Sequence, residues 1–389
     1  MSVHALIVGS GPVGMALALS LSRGGIPTTL LEKGLALFDK ANDSRVYALS
    51  AGNADFLRDL GVWEQLKPHA TPIHTIRVQE SGSLGGVLFD HPVRHGSSGE
   101  NLHGYMIPST ALCQVLHKAV RDCSEITYQT ETAVTHVHQD SDSVTLTLQQ
   151  KGPHKTTLRG NVVFAADGKN SMIKRLLEIS EEKFSYDHAA LICNVTHTKP
   201  HHNGAVEVFT PLGPLAFLPL QGNKSACVFS MAKRLGDSYV RQSMDVFTHK
   251  LEELFPDYGT YTLDTPLSSF PLVATFSPQP ARNRVMLCGD AAMTIHPVAG
   301  QGLNYGLKDV RAIYDNIAQM SVDGDIPTVL CTIQNARMTD RRIMLHATDG
   351  IIRIFALKTP GIRCMRQVGM SLINLSPSIK WLFTERAGA

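Results

Sequence analysis

Short apolar runs closed by glycine or an acid recur along the chain, and several lead into segments of helical period. HALIVG (residues 4–9) is continuously apolar, the pattern of a strand buried on both faces of a parallel sheet. PVGMALALSLSRGG (12–25) follows with apolar residues at helical spacing, and TTLLEK (28–33) reads as a second strand. VVFAADG (162–168) repeats the strand-to-glycine pattern, with a helix expected to start near Ser171. RVMLCGDAA (284–292) repeats it again, before the helix LNYGLKDVRAIYDNIAQM (303–320). Residues 76–100 and 180–270 read mainly as strands, among them AALICNVTH, AVEVFT, PLAFLPL and SACVFSMA, with one amphipathic helix over 237–255. The fold class is therefore α/β.

The N-terminal strand–turn–helix carries Gly9, Gly11 and Gly14. In this pattern the first glycine permits the tight turn, the second lets backbone approach a pyrophosphate, and the third lets helix pack closely on strand. The phosphates then meet the free amides and dipole of the helix N-terminus. Glu32 ends the second strand eighteen residues past Gly14, where a carboxylate accepts from an adenosine ribose. The four features together predict a bound dinucleotide.

Composition narrows the class. With 43% hydrophobic and 18% charged residues and a formal charge of +2, the chain reads as an ordinary globular protein without a nucleic-acid partner. Its seven cysteines are scattered and form no Cys-x-x-Cys pair, which predicts reduced thiols and neither disulfide framework nor redox dithiol. His136 and His138 share a strand face, and His201 and His202 are adjacent, but no further ligands accompany them, so no metal is expected. The first strand starts too early for a signal peptide, and no apolar run reaches a membrane span. The expected location is the cytoplasm, with contact at the periphery of the inner membrane.

A second glycine-rich stretch, GDAAMTIHPVAGQGLNYGLKDV (289–310), remains to be explained. Its turn HPVAGQGLN enters a helix, so the Gly300 and Gly302 amides would face an anion there, with Gln301 and Asn304 as added side-chain donors. Each acid motif, Asp167-Gly168 and Gly289-Asp290, stands at the carboxyl end of a strand, where open α/β sheets bind ligands. The three motifs in this order resemble the class A flavoprotein aromatic hydroxylases of the para-hydroxybenzoate hydroxylase type, over nearly the whole chain. Within that class, SRVYALSAGN, FTPLGPLAFLPL, ATDGIIRIF and the 289–310 stretch resemble the ubiquinone-biosynthesis hydroxylases of bacteria and mitochondria.

The resemblance implies one extended FAD, which would explain two glycine loops in one chain. Its adenosine would sit at Gly9, Gly11, Gly14 and Glu32, and its isoalloxazine at Gly302, Leu303 and Asn304. Asp290 would hold the ribityl hydroxyls, Asp167 and Gly168 the pyrophosphate region, and Arg45 the cofactor or nicotinamide route. His296, Pro297, Gly300, Gln301 and Gly302 would border the reacting centre, Pro297 through its carbonyl.

The implied reaction hydroxylates the ring of a polyprenyl phenol in ubiquinone biosynthesis. NADH or NADPH serves as a transient reductant, molecular oxygen is the co-substrate, and a flavin C4a-hydroperoxide is the oxygen donor. Another aromatic substrate, or a non-catalytic FAD scaffold in a quinone-biosynthesis complex, are the alternatives. Peripheral membrane contact and assembly with a quinone-biosynthesis complex are implied as well.

The implied architecture is a Rossmann-like FAD-binding domain (1–75, 101–179, 271–336) with an interleaved β-sheet substrate domain (76–100, 180–270) and a C-terminal helical region (337–389). The last region carries nine Lys or Arg against three Asp or Glu, and Arg353, Lys358, Arg363 and Arg366 are its candidate membrane-facing cations. The chain departs from its relatives at Val208, where an arginine is common, and at Ile107-Pro108-Ser109; the ring position attacked is left open.

Overall fold

In this computed structural model the described residues are 3–35, 44–82, 86–90, 102–152, 154–295, 301–320, 324–356 and position 374. Among them, β1 (Ala5–Val8), β2 (Thr28–Leu31), β8 (Ile126–Gln129), β12 (Val162–Ala165), β19 (Ala281–Arg282) and β20 (Val285–Leu287) form one sheet. Its order is β19-β20-β12-β1-β2-β8. The pairs β20–β12, β12–β1, β1–β2 and β2–β8 are parallel. Every residue of β1, β2, β12 and β20 is buried, because both faces of the sheet are covered.

The alternation in β1 assigns the two covers. Ala5 and Ile7 pack into a core with α1 (Pro12–Arg23), α4 (Ser109–Asp122) and α8 (Gly302–Ile317). Leu6 and Val8 pack on the other side against β9 (Ala133–Gln139) and β10 (Val144–Gln149) of a three-stranded antiparallel sheet completed by β11 (Lys155–Gly160). Helix α1 starts with Pro12 at its first turn and is buried from Gly14 through Ser22; Ser20 satisfies its hydroxyl on Ala16 O at 2.8 Å. Each fully buried leucine here contributes roughly 1.5–3 kcal/mol.

A second body is built on a large sheet. Its order is β21 (Met293–Thr294), β18 (Ser268–Phe276), β13 (Glu182–His197), β16 (Lys224–Ala232), β15 (Gly213–Leu220), β14 (Gly204–Thr210), β5 (Thr75–Glu80) and β6 (Gly86–Phe89), with β17 (Tyr261–Leu263) on β13. One face packs under α6 (Lys233–Val240) and α7 (Met244–Leu254), through Val206, Val208, Leu215, Phe217, Phe229 and Phe247. The other face turns toward the first body. There Ala205 packs against Ile73 and Met106 of the small sheet β3 (Val46–Ser50), β7 (Gly104–Pro108), β4 (Thr71–Ile73).

Two boundaries differ from the sequence reading. The single helix expected over 237–255 is two, because Ser243 adopts the extended backbone of an N-cap (φ −65°, ψ 148°) and ends the run after Val240. The boundary expected at residue 336 falls inside one long helix, α9 (Ile326–Ala356). Short helices α2 (Ala51–Asp59), α3 (Trp63–Leu66) and α5 (Met172–Leu176) complete the described elements. No described helix is long and apolar enough to cross a membrane. Lys358, Arg363 and Arg366 lie outside the described residues.

Candidate active site

The carboxyl ends of β2, β1, β12 and β20 stand side by side, and each carries one of the sequence motifs. Main-chain bonds knit them: Gly9 N donates to Leu31 O (2.8 Å), Ala166 N to Val8 O (2.8 Å) and Cys288 N to Ala165 O (2.9 Å). Gly9 (φ +103°) is forced, since a Cβ there would stand 2.5 Å from Ala166 O. Gly14 is forced by contact, because its Cβ would meet Gly9 O at 1.9 Å.

Gly11 differs from both. Its φ of −69° suits any residue, and a Cβ there meets no protein atom within 4 Å, so the space before the α1 N-terminus is open. Glu32 borders that space. Its Oε2 accepts from Ser10 N (2.9 Å) and Ser10 Oγ (3.0 Å), its Oε1 from Gly34 N (2.9 Å), and Tyr128 OH donates to Ser10 Oγ at 3.1 Å. The carboxylate is thus fixed in orientation and remains part-exposed.

The second loop comes to the same place. Val13, in the first turn of α1, sits between Gly289 and Gly306: a Cβ at Gly306 would lie 2.5 Å from Val13 Cγ2, and one at Gly289 3.2 Å from it. Helices α1 and α8 therefore pack N-terminus beside N-terminus. Neither first turn holds an acidic side chain, so two sets of unpaired amides and two positive dipole ends are available to one anion-bearing ligand.

Asp290 keeps much of its side chain accessible yet lies deep in the protein, so that surface faces an internal cleft. Desolvation there raises its carboxyl pKa, with Lys169 partly opposing. Asp167 caps α5 through Oδ2, which accepts from Met172 N (2.7 Å) and Ile173 N (3.3 Å); its Oδ1 is buried and has no partner. Beside it, Gly168 (φ +79°) faces open space. Two helix N-termini, an open position at Gly11, an orphaned buried Asp167 oxygen and a cleft-facing Asp290 fit an extended phosphate-bearing dinucleotide.

Asn304 does something other than offer a side-chain donor. Its Nδ2 donates to Ala48 O (2.9 Å) and Gln301 Oε1 (3.3 Å), while Oδ1 accepts from Ser50 N and Asn53 Nδ2, both at 2.9 Å. The side chain is spent clamping α8 to β3 and α2, and the available donors are the backbone amides of the first turn. Gln301 is buried at the N-cap, and Arg45 is exposed just before β3. His296, Pro297 and Gly300 lie outside the described residues.

Residues absent from the sequence reading also belong here. Asp309 of α8 is buried and accepts from Gly289 N (3.0 Å), Arg341 Nη2 (2.7 Å) and Arg337 Nε (3.0 Å). It ties the Gly289-Asp290 turn to α9. Tyr47 of β3 bonds Ser109 and feels the Asp290 charge; burial raises its phenol pKa. Val208 points into the α7-side core, away from the cleft.

The chain is similar to known proteins over most of its length. Residues 2–330 match the FAD binding domain family. The chain is 30% identical over 388 residues to the ubiquinone hydroxylase UbiL of Rhodospirillum rubrum, covering 98% of this chain and 88% of that protein. It is 30% identical over 372 residues to the 3-demethoxyubiquinol 3-hydroxylase of Escherichia coli, covering 94% and 93%. Among solved structures, the p-nitrophenol 4-monooxygenase PnpA of Pseudomonas putida superposes with a TM-score of 0.78 at 18% identity, covering 100% of this chain and 98% of that one.

Proposed function

The chain belongs to the FAD binding domain family and, within it, to the ubiquinone-biosynthesis hydroxylases, and from that membership we propose that it hydroxylates the aromatic ring of a polyprenyl phenol. The observation that carries the reading is the convergence of both glycine loops and both acid motifs on one cleft beside a mostly apolar sheet face. FAD is the cofactor; bound here it supplies electron transfer from NADH or NADPH and the activation of molecular oxygen.

The protein supplies position. Gly11 and the α1 amides receive the pyrophosphate, Glu32 the adenosine ribose, and Asp290 the ribityl chain, with Asp167 and Gly168 alongside. The amides of Gly302, Leu303 and Asn304, at a dipole end, stabilise negative charge on the flavin ring. On sequence grounds Gly300, Gln301, His296 and the Pro297 carbonyl border the same centre, and Arg45 lies on the route of the reductant. The large sheet, drawn mostly from the segments 76–100 and 180–270, forms the substrate roof over the FAD-binding segments 1–75, 101–179 and 271–336, the last of which also gives that sheet most of β18 and all of β21. Such a substrate resides in a bilayer, so the reading includes peripheral membrane docking, with the basic C-terminal region as the contact, and delivery within a quinone-biosynthesis complex.

The test is substrate-dependent turnover. Purified protein should oxidise NAD(P)H faster when a short-tailed prenyl phenol is added in air, and labelled dioxygen should place one labelled atom in the product. Label from water, or no stimulation by any prenyl phenol, would reject the reading.

A further inference from the structure

A carboxylate, Glu207, stands within an apolar row of the sheet face opposite the α7-side core. Strand β14 alternates strictly: Val206 and Val208 enter the core beneath α7, so Ala205, Glu207 and Phe209 take the opposite face. The register extends that row across six strands as Val78, Glu207, Ala216, Val228, Ile192 and Ser268. Apart from Glu207 and the terminal serine, the row is apolar.

Both flanks of this face rest on the start of α8. On one flank Ala205, one step from Glu207, packs with Ala48 and Met106, and Ala48 O holds Asn304 at 2.9 Å. On the other, Ala274 and Phe276 of β18 pack against Tyr305. Between these supports Val78, Glu207, Val228, Ile192 and Ser268 each keep part of their surface accessible. Glu207 is half-buried, on the sheet face opposite the α7-side core. Desolvation raises its carboxyl pKa to about 8. Glu80, one step along β5, is a second carboxylate on the same face.

A buried acid in an apolar wall needs a hydrogen-bonding partner, and a phenol supplies one. Resting on the hydroxylase reading above, we propose that Glu207 is the residue that binds the ring hydroxyl of the substrate and accepts its proton. The raised pKa leaves Glu207 mostly protonated at neutral pH, so its own proton first passes to solvent; in the ionised form the phenolic O–H bond breaks, an O–H bond forms on the carboxylate, and the electron pair stays on the ring oxygen. The ring becomes more electron-rich at the carbons ortho and para to it, where an electrophilic oxygen attacks, and the proton returns to the product oxygen on release. A base of raised pKa is better matched to a phenol than an ordinary carboxylate, which would be too weak to take the proton. The apolar residues on either side of Glu207 give the prenyl tail and ring edge their contact.

The experiment uses the FAD-loaded protein, two variants and three phenol-derived probes. Glu207→Gln should keep full FAD content and lower kcat on a short-tailed 2-prenylphenol by roughly 10²–10⁴-fold, the usual range for a lost proton-transfer group. Glu207→Asp, which keeps the acid on a shorter stem, should recover part of that loss. In binding measured by flavin fluorescence, the wild type should prefer the phenol to its methyl ether, and Glu207→Gln should not. A prenylated nitrophenol should bind the wild type in its yellow, ionised form and Glu207→Gln in its colourless form. Unchanged kcat and unchanged probe colour in Glu207→Gln, with the wild type active, would overturn the assignment while leaving the hydroxylase reading intact. Loss of FAD in both variants would also overturn it, by making the carboxyl structural. An inactive wild type would instead reject the hydroxylase reading, and the probe colour would still decide whether Glu207 takes a phenol proton.

Discussion

The backbone N–H of Gly289 donates to Asp309 Oδ2 at 3.0 Å, so the turn carrying Asp290 is held from inside helix α8. The same carboxylate receives Arg341 and Arg337 from α9, and all three side chains are buried. Removing one partner of a buried pair costs roughly 3–5 kcal/mol, because the remaining charge is stranded. Asp309→Ala strands Arg341, leaves Arg337 with Asp340 alone, and frees Gly289. It should lower the melting temperature strongly and release FAD. Arg341→Met leaves Asp309 paired to Arg337 and should cost less, with FAD retained; equal behaviour of the two variants in melts and flavin titrations would show that the Gly289 contact does not matter.

Gly11 and Gly14 should separate binding from folding. Gly14→Ala drives a Cβ to 1.9 Å from Gly9 O, a backbone atom that cannot yield without moving β1, so unfolding and loss of flavin should come together. Gly11→Val meets no protein atom within 4 Å and needs no special φ. Its melting temperature without flavin should match the wild type, while FAD affinity falls by roughly tenfold or more, about 1.4 kcal/mol. Wild-type FAD affinity in Gly11→Val would remove this loop from the cofactor site.

The helix junction makes a graded version of the same test. A Cβ at Gly306 would press on Val13 Cγ2 at 2.5 Å, a side-chain methyl rather than backbone. Gly306→Ala should therefore destabilise by roughly 1–3 kcal/mol, as small-to-large changes in packed cores do. Val13→Ala in the same chain should restore much of that loss. Additive losses in the double variant would mean that α1 and α8 are not in contact there.

Local pattern explains which parts of this were legible beforehand. Each strand–glycine–helix unit is set within about thirty residues, by apolar run, turn chemistry and helical period, and those units stand where the sequence puts them. Asp309, Arg337 and Arg341 are 28 and 32 residues apart on two helices, and nothing local distinguishes them from solvated charges. Asn304 looked like a ligand donor because its position follows the glycine loop; only the approach of Ala48, Ser50 and Asn53 shows that it is a clamp. Glu207 left a trace in AVEVFT, an acid within an otherwise apolar strand, but the face it takes depends on which side α7 covers.

Glu207 also makes a prediction about stability that needs no substrate. Its folded-state pKa of about 8 stands above the ordinary carboxyl value of 4.5. Between those values the folded state holds a proton that the unfolded state has lost, so stability falls as pH rises through that window and the full penalty is present above about pH 8. Glu207→Gln cannot ionise and escapes the penalty. The variant should melt close to the wild type at pH 5 and progressively above it toward pH 9. Each pH unit in the window is worth at most about 1.4 kcal/mol, so the gap should reach a few kcal/mol. Melting curves across that range provide the measurement, and a gap independent of pH would mean that Glu207 ionises in an ordinary, solvated setting rather than in the cleft wall.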